Sequence, residues 1–584
     1  MPIPKNLSQL AALGLALLLC LGACPAAAAR AGQAEIKLDS DNVVLDADAI
    51  GRLNVRSVSE LLNLVPGVKA GESSVTIRGS YKVRVLMDGM PLNDPGSHTI
   101  KLSLVPFQSL KKVEVFKGGG GVAFGDDASG GAVLFTTQVP ERTTAFAEVA
   151  AGNHNAVQTR LGLTASQGRW GLGLDGEYKD GDGYRVNDDK EVKRGGFKIS
   201  YRPETWGRGR TPTLAVDFSE QRSGSAGYPQ FPTPRARLND EALGASLNWE
   251  RRQVTSGTYF TRFQNESINP DRDQHSLLRT WAFKQDLRRP WRPWGIKGLV
   301  AGLSAEVIEG QGSELATRQE QSLAGFARQE AMLEAWKLGV ALGLRGSWYS
   351  DFDGVLNPEL EIYRDCGRHR IKVAATRSNN LPTFRQRYYR HSTLEPNPDL
   401  GMERATNFSL GLASAWRPDL SGDVAVFHRR VEDAITYVLG DGGVGQYRNL
   451  GETVTNGVDA SLKWRAASWL ELTPSYTYLR AKDAETDLWL AAKPEHKFGL
   501  DALLRPAPGW VVGLLYTYES KRFTRSDNTE STDPYHKVDL RCEYRQGPYR
   551  IFATVENLLD EAYDYGDGLP APPRLWLVGV RREF

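Results

Sequence analysis

The sequence predicts a mainly β protein, in which a large antiparallel transmembrane barrel of about 22 strands follows a smaller α+β domain. From about residue 141 to the end, hydrophobic and polar residues alternate, as in segments 458–464 and 538–545, and such alternation gives each strand one apolar and one polar face. After an N-terminal export signal no apolar stretch reaches about 18 residues, so an exported chain of this kind could enter a membrane only as a closed barrel. Some 440 residues, at roughly 9–11 residues per spanning strand plus loops, accommodate about 22 strands. A barrel of that size leaks unless its lumen is filled, and the α+β domain is the natural filling.

The N terminus has the order of a secretory signal. Lys5 supplies positive charge, an apolar run covers Leu10–Ala23, and small residues follow it. We expect residues 1–31 to be a signal peptide, cleaved after Ala29 or Ala31. The four residues that end at Cys24 also resemble a lipoprotein signal, which would place a lipid on that cysteine. Both possibilities stay open.

Composition and local motifs argue against several function classes. The 72 basic and 70 acidic residues leave a net charge of +2, which gives no nucleic-acid footprint. The sequence shows no CxxC pair, no HExxH string, no nucleophile elbow and no phosphate-binding loop, so we expect neither an enzyme nor a bound metal or cofactor. A passive porin or a surface-exposed binding β-protein remains the alternative from another class, although a porin would lack the α+β domain.

The domain boundaries follow the change in pattern. We assign residues 32–41 to an N-terminal segment, residues 42–140 to the α+β domain and residues 141–584 to the barrel. A helix is predicted from Ser57, whose side chain can cap it while Glu60 completes a capping box. Four strands are predicted around it, over residues 74–79, 82–89, 110–118 and 131–137.

Aromatic residues near strand ends support a lipid-facing barrel. Trp416, Trp464, Tyr516 and Tyr518 occupy such positions, and aromatic girdles mark membrane interfaces. Phe584 ends the chain on an alternating strand, which resembles the signal by which bacterial outer-membrane barrels are recognised for assembly.

The α+β domain resembles the plug of the TonB-dependent receptors, and the resemblance extends over nearly the whole mature chain. VTIRGSYKVRVLMDGMPLNDPGS and VEVFKGGGGVAFGDDASGGAVLFTT follow the family's plug motifs. One departure is Gly119, where the family usually has proline. The matching positions that we singled out are Arg78, Gly79, Asp88, Gly89, Glu114, Gly118, Gly125, Gly130 and Gly131.

Barrel motifs occur in the family's order. LPTFRQRYY with NPDLGMERATNFSLGL, YRNLGETVTNGVDASL and VENLLDEAYDY resemble family segments, and PPRLWLVGVRREF resembles its closing segment, with Pro573 in place of glycine. The positions that we associate with the barrel and its assembly are Asn557, Asp560, Tyr563, Arg574 and Phe584.

The resemblance implies active uptake of a scarce, bulky nutrient across the bacterial outer membrane by a receptor that is a monomer. The TonB–ExbB–ExbD complex would pull on a short N-terminal TonB box, the barrel assembly machinery would insert the chain, and lipid and lipopolysaccharide would surround it. An extended segment can bind by adding a strand to a partner's sheet, although the candidate segment could equally be the leader into the first plug strand. The TonB-box candidate is Glu35, Ile36, Lys37 and Leu38. Arg78 and Glu114 resemble polar contacts between plug and barrel.

The cargo is the least determined point. The short mature chain resembles ferric siderophore and cobalamin receptors. Haem is the alternative, because His391 lies between the motifs where haem receptors of the family carry a histidine, and His98 lies on the plug. Arg385, Arg387 and Arg390 suit an anionic siderophore, haem propionates or lipopolysaccharide phosphates.

Overall fold

A computed structural model describes residues 39–119, 121–203, 211–291, 298–390, 394–439, 444–449, 451–566 and 568–584. The expected signal peptide, the TonB-box candidate Glu35–Leu38 and His391 lie outside the described residues. The architecture has two parts, a small α+β plug and a barrel that surrounds it.

The plug is built on a five-stranded mixed sheet with the order β1-β6-β7-β4-β5. The strands of the plug are β1 (Asn42–Asp46), β2 (Val68–Ala70), β3 (Val75–Ile77), β4 (Val83–Met87), β5 (Met90–Pro91), β6 (Leu110–Phe116) and β7 (Gly131–Thr137). Strands β2 and β3 pair with each other in a separate two-stranded sheet. The helices of the plug are α1 (Ala47–Arg52), α2 (Val58–Asn63) and α3 (Gly121–Phe124), with 3-10 turns at Leu102–Leu104 and Phe107–Ser109.

Helix α2 starts where the capping pattern predicts. The Ser57 hydroxyl accepts a hydrogen bond from the Glu60 N–H at 3.1 Å, and the Glu60 carboxylate accepts one from the Arg56 N–H. The helix ends at Asn63 because the chain turns before Pro66, which cannot continue a helix, and Gly67 takes a positive φ of 77°. Leu61 and Leu62 on this helix are fully buried in the plug core.

The barrel is closed and has 22 strands, as the sequence predicts. Neighbouring strands pair antiparallel, and the last strand pairs with the first. The strands are β8 (Thr144–Gly152), β9 (Val157–Gln167), β10 (Trp170–Gly181), β11 (Lys190–Tyr201), β12 (Thr213–Gly224), β13 (Arg237–Arg251), β14 (Val254–Asn269), β15 (Gln274–Trp291), β16 (Leu299–Gly312), β17 (Leu315–Leu333), β18 (Leu338–Tyr349), β19 (Val355–Cys366), β20 (His369–Asn380), β21 (Glu403–Arg417), β22 (Leu420–Glu432), β23 (Glu452–Ala467), β24 (Leu470–Asp483), β25 (His496–Leu504), β26 (Trp510–Glu519), β27 (Tyr535–Gln546), β28 (Tyr549–Glu556) and β29 (Leu575–Glu583).

The strands place polar side chains against the plug and apolar side chains outward. On β27, Arg541 donates a hydrogen bond to the plug carbonyl of Leu53, whereas Leu540 and Cys542 point to the opposite face. The outward face leaves large apolar side chains exposed, such as Leu303 and Leu342. Such a surface is stable in lipid rather than in water. Among the described residues, none of the helices combines the length and the apolar character needed to cross a membrane.

The two ends of the barrel differ. The end that holds Thr144 and Phe584, here the turn end, has mostly short connections, such as residues 252–253 and 367–368. The opposite end, the loop end, carries the longest ones, residues 381–402, 433–451, 520–534 and 557–574. The loop end contains helix α4 (Phe384–Tyr388) and the short strands Leu394–Glu395, Ile435–Leu439 and Gly445–Asn449, which form one small sheet. It is therefore the end that offers surface for recognition.

Candidate ligand-binding site

Two plug turns form the floor of a vestibule at the loop end. The Gly79 carbonyl in turn 78–82 accepts a hydrogen bond of 2.7 Å from the Lys493 ammonium, which lies in the loop after β24. The Gly96 carbonyl in turn 93–100 accepts one of 3.0 Å from the Arg385 N–H, at the start of α4. Plug and barrel loops thus meet at one surface that a ligand from outside would reach first.

The turn 78–82 presents an aromatic ring to the vestibule. Arg78 and Gly79 have φ values of 49° and 73°, and Ile77 and Ser80 pair across the turn. A Cβ on Gly79 would be strained at this positive φ and would lie 2.8 Å from the end of the Leu479 side chain, so the position favours glycine. The turn leaves Tyr81 half exposed, at 50%. An exposed tyrosine at this point offers both a ring face and a hydroxyl to a ligand.

Three cations lie around Tyr81 in the described part of the vestibule floor. The Lys82 ammonium is 5.7 Å from the Tyr81 ring centroid. The Arg429 guanidinium donates to the Arg78 carbonyl at 3.2 Å, and Lys493 binds the next carbonyl. Burial, and then the neighbouring Arg429, lower the pKa of Lys493 to about 8. The second effect means that the two cations repel each other at close range, a cost that an anionic ligand would relieve.

The nearby carboxylate of Glu403 is already engaged. One oxygen accepts a hydrogen bond of 2.8 Å from the Ile435 N–H, and the other accepts one of 2.9 Å from the Asn380 amide. The Lys82 ammonium is 4.0 Å away. Glu403 therefore offsets part of the positive charge, and each of its oxygens already accepts a hydrogen bond from the protein.

His98 lies beside these groups on the plug. Its Nε2 is 2.7 Å from the Lys82 ammonium and 3.2 Å from the Leu381 carbonyl. Burial, and then the charge of Lys82, lower the pKa of His98 to about 3, so its ring is neutral at physiological pH. A metal bound at Nε2 would have to displace Lys82.

The three arginines predicted from the loop motif occupy different environments. Arg387 is buried, ion-paired with Glu320, and its guanidinium carbon is 4.6 Å from the Phe352 ring centroid, which fixes α4 against the barrel. Arg385 and Arg390 are exposed. Arg390 pairs with Glu395 at 2.9 Å. Of the three, only Arg385 and Arg390 are accessible at the loop end.

Arg78 is the centre of a buried ionic cluster. Its guanidinium donates to Asp41 at 2.8 Å, to Asp459 of β23 at 2.7 Å and to the Lys117 carbonyl at 3.1 Å. Burial alone would raise the pKa of Asp41, but Arg78 and then Lys372 hold it at about 2. Both carboxylates compensate the desolvation of Arg78 and keep its pKa above the usual range. The cluster joins the N-terminal segment, the plug turn and the barrel wall.

Among the residues that the structure describes, Glu114 forms its ion pair within the plug, whereas its motif led us to expect a contact with the barrel. Its carboxylate pairs with Lys112 at 2.7 Å. The reason is topological, because β6 lies between β1 and β7 and the two side chains share one face of that strand.

The other plug-motif residues shape turns. Asp88 and Gly89 have φ values of 49° and 93° and connect β4 to β5. The Asp88 carboxylate accepts hydrogen bonds from the Thr137 N–H at 2.9 Å and from Lys198 of β11 at 3.0 Å. Of the remaining glycines, Gly130 and Gly131 have no room for a Cβ, which would lie 2.5 Å from the Ser80 side chain and 2.1 Å from the Phe116 carbonyl. A Cβ on Gly125 would lie 3.3 Å from the end of Arg345, and one on Gly118 would make an ordinary contact with Asp41.

The predicted barrel residues lie in the last long loop, except Phe584. The Asn557 amide donates to the Glu561 carbonyl at 2.9 Å, and Asp560 accepts from the Arg574 N–H at 2.7 Å. The Tyr563 ring stacks on Tyr535 with centroids 4.0 Å apart. These residues fold the loop at residues 557–574. Phe584 lies at the turn end and is 65% exposed.

Sequence reasoning did not single out Tyr81, Glu403, Arg429, Asp459 or Lys493. Tyr81 follows the RGS letters of the plug motif, so its position next to a tight turn was a usable signal. The others are single polar residues on alternating strands or in a loop, and nothing local distinguishes them from neighbours of the same kind.

Comparison with known proteins shows which families this chain matches. The family described as TonB-dependent Receptor Plug Domain matches residues 36–132, and the one described as TonB dependent receptor-like, beta-barrel matches residues 122–558. The chain is 24% identical to a Vitamin B12 transporter BtuB of Vibrio vulnificus (strain YJ016), over 94% of this chain and 93% of that protein.

Solved structures agree on the fold. The copper transporter OprC superposes with a TM-score of 0.79 at 16% identity, over 94% of this chain and 98% of that one. The siderophore receptor PirA from Acinetobacter baumannii superposes with a TM-score of 0.77 at 15% identity, over 93% and 98%. Because the barrel description alone spans more than half of the chain, the chain belongs to the TonB-dependent receptors, plugged β-barrel transporters of the bacterial outer membrane.

Proposed function

We propose that this receptor takes up an anionic metal chelate of the ferric siderophore class, and that the chelate binds on the vestibule floor around Tyr81. The observation that carries the proposal is the charge of that floor. Lys82, Arg429 and Lys493 surround an exposed ring, while the nearby carboxylate, Glu403, is already hydrogen-bonded. Cations partly removed from water attract an anion more strongly than exposed ones do, and the Tyr81 ring adds a flat contact surface.

Cobalamin is the second candidate, and the sequence relatives favour it. The Vitamin B12 transporter BtuB of Vibrio vulnificus matches nearly the whole chain at 24% identity. Cobalamin would use the ring of Tyr81 and the loop surface more than the cations. Haem has less support, since Nε2 of His98 contacts Lys82 and His391 lies outside the described residues.

Energy would come from TonB with ExbB and ExbD, acting on the segment before the plug. Glu35–Leu38 remains our candidate for the TonB box. The residues directly after it support this choice, because Asp39 pairs with Lys372 of the barrel at 3.0 Å and Asp41 pairs with Arg78 of the plug. A pull on the box would reach both pairs within a few residues. Replacing Glu35–Leu38 by proline and glycine should abolish uptake and preserve ligand binding.

Lipopolysaccharide is the proposed lipid partner at the loop end, around a monomeric receptor that the barrel assembly machinery inserts. Arg377, Arg430 and Lys482 occupy one aligned row across strands β20 to β24. Four residues nearer the turn end, the aligned row is apolar and includes Val373 and Val426. One mixed row, which includes Phe408 and Arg480, lies between the two. Cations on the loop-end side of an apolar belt suit phosphate groups above acyl chains. Replacing the row's cations by glutamine should lower the lipopolysaccharide that copurifies, and an unchanged amount would contradict the assignment.

Binding to the purified receptor tests the cargo. Intrinsic tryptophan fluorescence would be titrated with a ferric catecholate, a neutral ferric hydroxamate, cyanocobalamin and haemin. The proposal expects saturable quenching by the anionic catecholate that weakens with salt. Binding of cyanocobalamin without binding of any ferric chelate would overturn it in favour of the second candidate. Growth of a deletion strain on each nutrient gives the matching result in cells.

A further inference from the structure

The plug contacts two opposite walls of the barrel in different ways. At one wall, the plug's apolar core continues into the barrel through Ala242 of β13 and Tyr259 and Phe263 of β14, and these are the described barrel residues in that core. Phe263 is fully buried. Met90 of the plug packs against β13, where a Cβ on Gly244 would meet its side chain. We call this side the anchor wall.

The wall formed by β24, β25 and β26 is different. These strands lie eleven positions around the 22-stranded barrel from the anchor wall, which is half the circumference. A cavity separates this wall from plug segment 63–67, and its barrel side is lined by Lys497, Leu500, Asp501 and Leu515 and otherwise by small or hydroxyl-bearing residues. The small or hydroxyl-bearing residues include Thr473, Ser475, Thr477, Gly499 and Thr517. We call this cavity and its borders the seam.

Hydrogen bonds from cations cross the borders of the seam. The Lys69 ammonium of the plug pairs with Glu519 of β26 at 2.9 Å, and Lys497 of β25 donates to the plug carbonyl of Val68 at 3.1 Å. On the turn-end side, Arg541 of β27 donates to the Leu53 carbonyl at 3.4 Å. Each bond of this kind to a charged group contributes only about 1.5–3 kcal/mol net, because water replaces it when the seam opens. The buried pair between Arg78 and Asp459 of β23 also borders the seam, and a pull on the segment that carries Asp41 acts directly on that cluster. Opening the anchor wall would instead expose apolar surface such as Phe263 to water.

We propose that the plug stays attached at the anchor wall and separates from the barrel along the seam when it is pulled, and that cargo passes between plug segment 63–67 and strands β24–β26. The closed seam is too narrow for cargo, so the passage forms only when the plug moves. The small side chains then limit the width least, and the hydroxyl groups offer hydrogen bonds to a hydrophilic chelate. The inference rests on the chain's being a plugged transporter and does not depend on which chelate it carries.

Two matched tethers test the proposal. Lys69→Cys with Glu519→Cys bridges the seam, and Lys101→Cys with Asn265→Cys bridges the plug to β14 on the anchor side, where the Lys101 ammonium lies 2.7 Å from the Asn265 amide oxygen. Each pair replaces a plug lysine and its barrel partner, so the same bis-maleimide spans both. Potassium chloride current through the purified receptor in planar bilayers, with urea added to loosen the plug, serves as a readout that needs no cargo.

We expect the seam tether to abolish the urea-dependent current and the anchor tether to leave it. Both double variants must carry current before the bridge is added, which shows that they fold and open. Equal block by both tethers, block by neither, or block only by the anchor tether would each overturn the proposal.

A second measurement uses single cysteines without any tether. Ser475→Cys lies in the seam, and Ser246→Cys lies on β13, two residues from the anchor contact at Gly244 and on the same face of the strand. A charged thiol reagent should label Ser475→Cys faster in urea than without urea. It should label Ser246→Cys at the same rate in both conditions. Faster labelling of Ser246→Cys, or of both cysteines alike, would refute separation along the seam.

Discussion

Replacing Arg78 by methionine should loosen the plug more than any other single substitution in its outward turn. The change keeps much of the side-chain volume but leaves the buried carboxylates of Asp41 and Asp459 without their shared partner. Breaking a buried ion pair by removing one partner costs about 3–5 kcal/mol. Because Lys372 and Lys117 stay close to these carboxylates, we expect the lower end, about 3 kcal/mol.

The Asp41 carboxyl gives an independent check on that magnitude. Its pKa is lowered from 3.8 to about 2 by Arg78, Lys372, Ser409 and Lys117 together, against the effect of burial. Each pKa unit corresponds to about 1.4 kcal/mol, so the net stabilisation of this carboxylate by all of these groups is about 2 kcal/mol, the same order as the expected loss. Asp459, the other carboxylate that Arg78 binds, is fully buried and keeps a second cation, Lys117, 3.8 Å away.

Urea titration of plug release measures the loss. Digestion by trypsin would report the fraction of molecules whose plug has become accessible. Heat-modifiable migration in detergent would show that the barrel remains folded. With a slope of about 1–3 kcal/mol per molar urea, a loss of about 3 kcal/mol lowers the midpoint by about 1–3 M. Arg417→Met is the matched control, since Arg417 is exposed at the turn end. An Arg78→Met midpoint equal to that of the control would refute the idea that this cluster holds the plug.

Three further predictions use the same protein. The stabilisation from Asp41 is present above its unfolded pKa of 3.8 and is lost as pH falls toward about 2, so plug release should need less urea across that window. Asp41→Asn should make the urea midpoint less dependent on pH. A wild-type midpoint that does not change over this pH range would contradict the prediction. Lys493→Gln should weaken binding of a ferric catecholate about tenfold, whereas Arg417→Gln should not; equal weakening in the two variants argues against the cationic floor. Gly79→Ala should cost about 1–2 kcal/mol from its positive φ, seen as a lower urea midpoint, and an unchanged midpoint would show that the turn tolerates a Cβ.

Patterns within one strand or one turn were readable from the sequence. The alternation in 538–545 predicted which side chains of β27 face the plug, and Ser57 with Glu60 predicted where α2 begins. These features depend on neighbours a few residues apart, where spacing alone decides the geometry. The strand number followed in the same way from the length of the alternating region.

The candidate site depends on contacts between distant parts of the chain. Arg78 and Asp459 are 381 positions apart, and nothing local marks Asp459 among the other alternating acids. Glu114 shows the opposite case, because its motif suggested a barrel contact but its position on a central strand gave it a partner two residues away. The cations around Tyr81 come from the plug, a barrel strand and a loop, so only the folded barrel brings them together.

The way the barrel closes has a consequence for how it must be made. Strand β8 pairs with β9 on one side and with β29 on the other, through contacts such as Val149 with Val580. Until β29 emerges, β8 offers a bare row of backbone donors and acceptors, a template for wrong pairing with other chains. Strand β8 therefore keeps one unpaired edge until β29 is available, although twenty barrel strands lie between the two in the sequence. We expect that shielding this edge until β29 pairs with it prevents such wrong pairing.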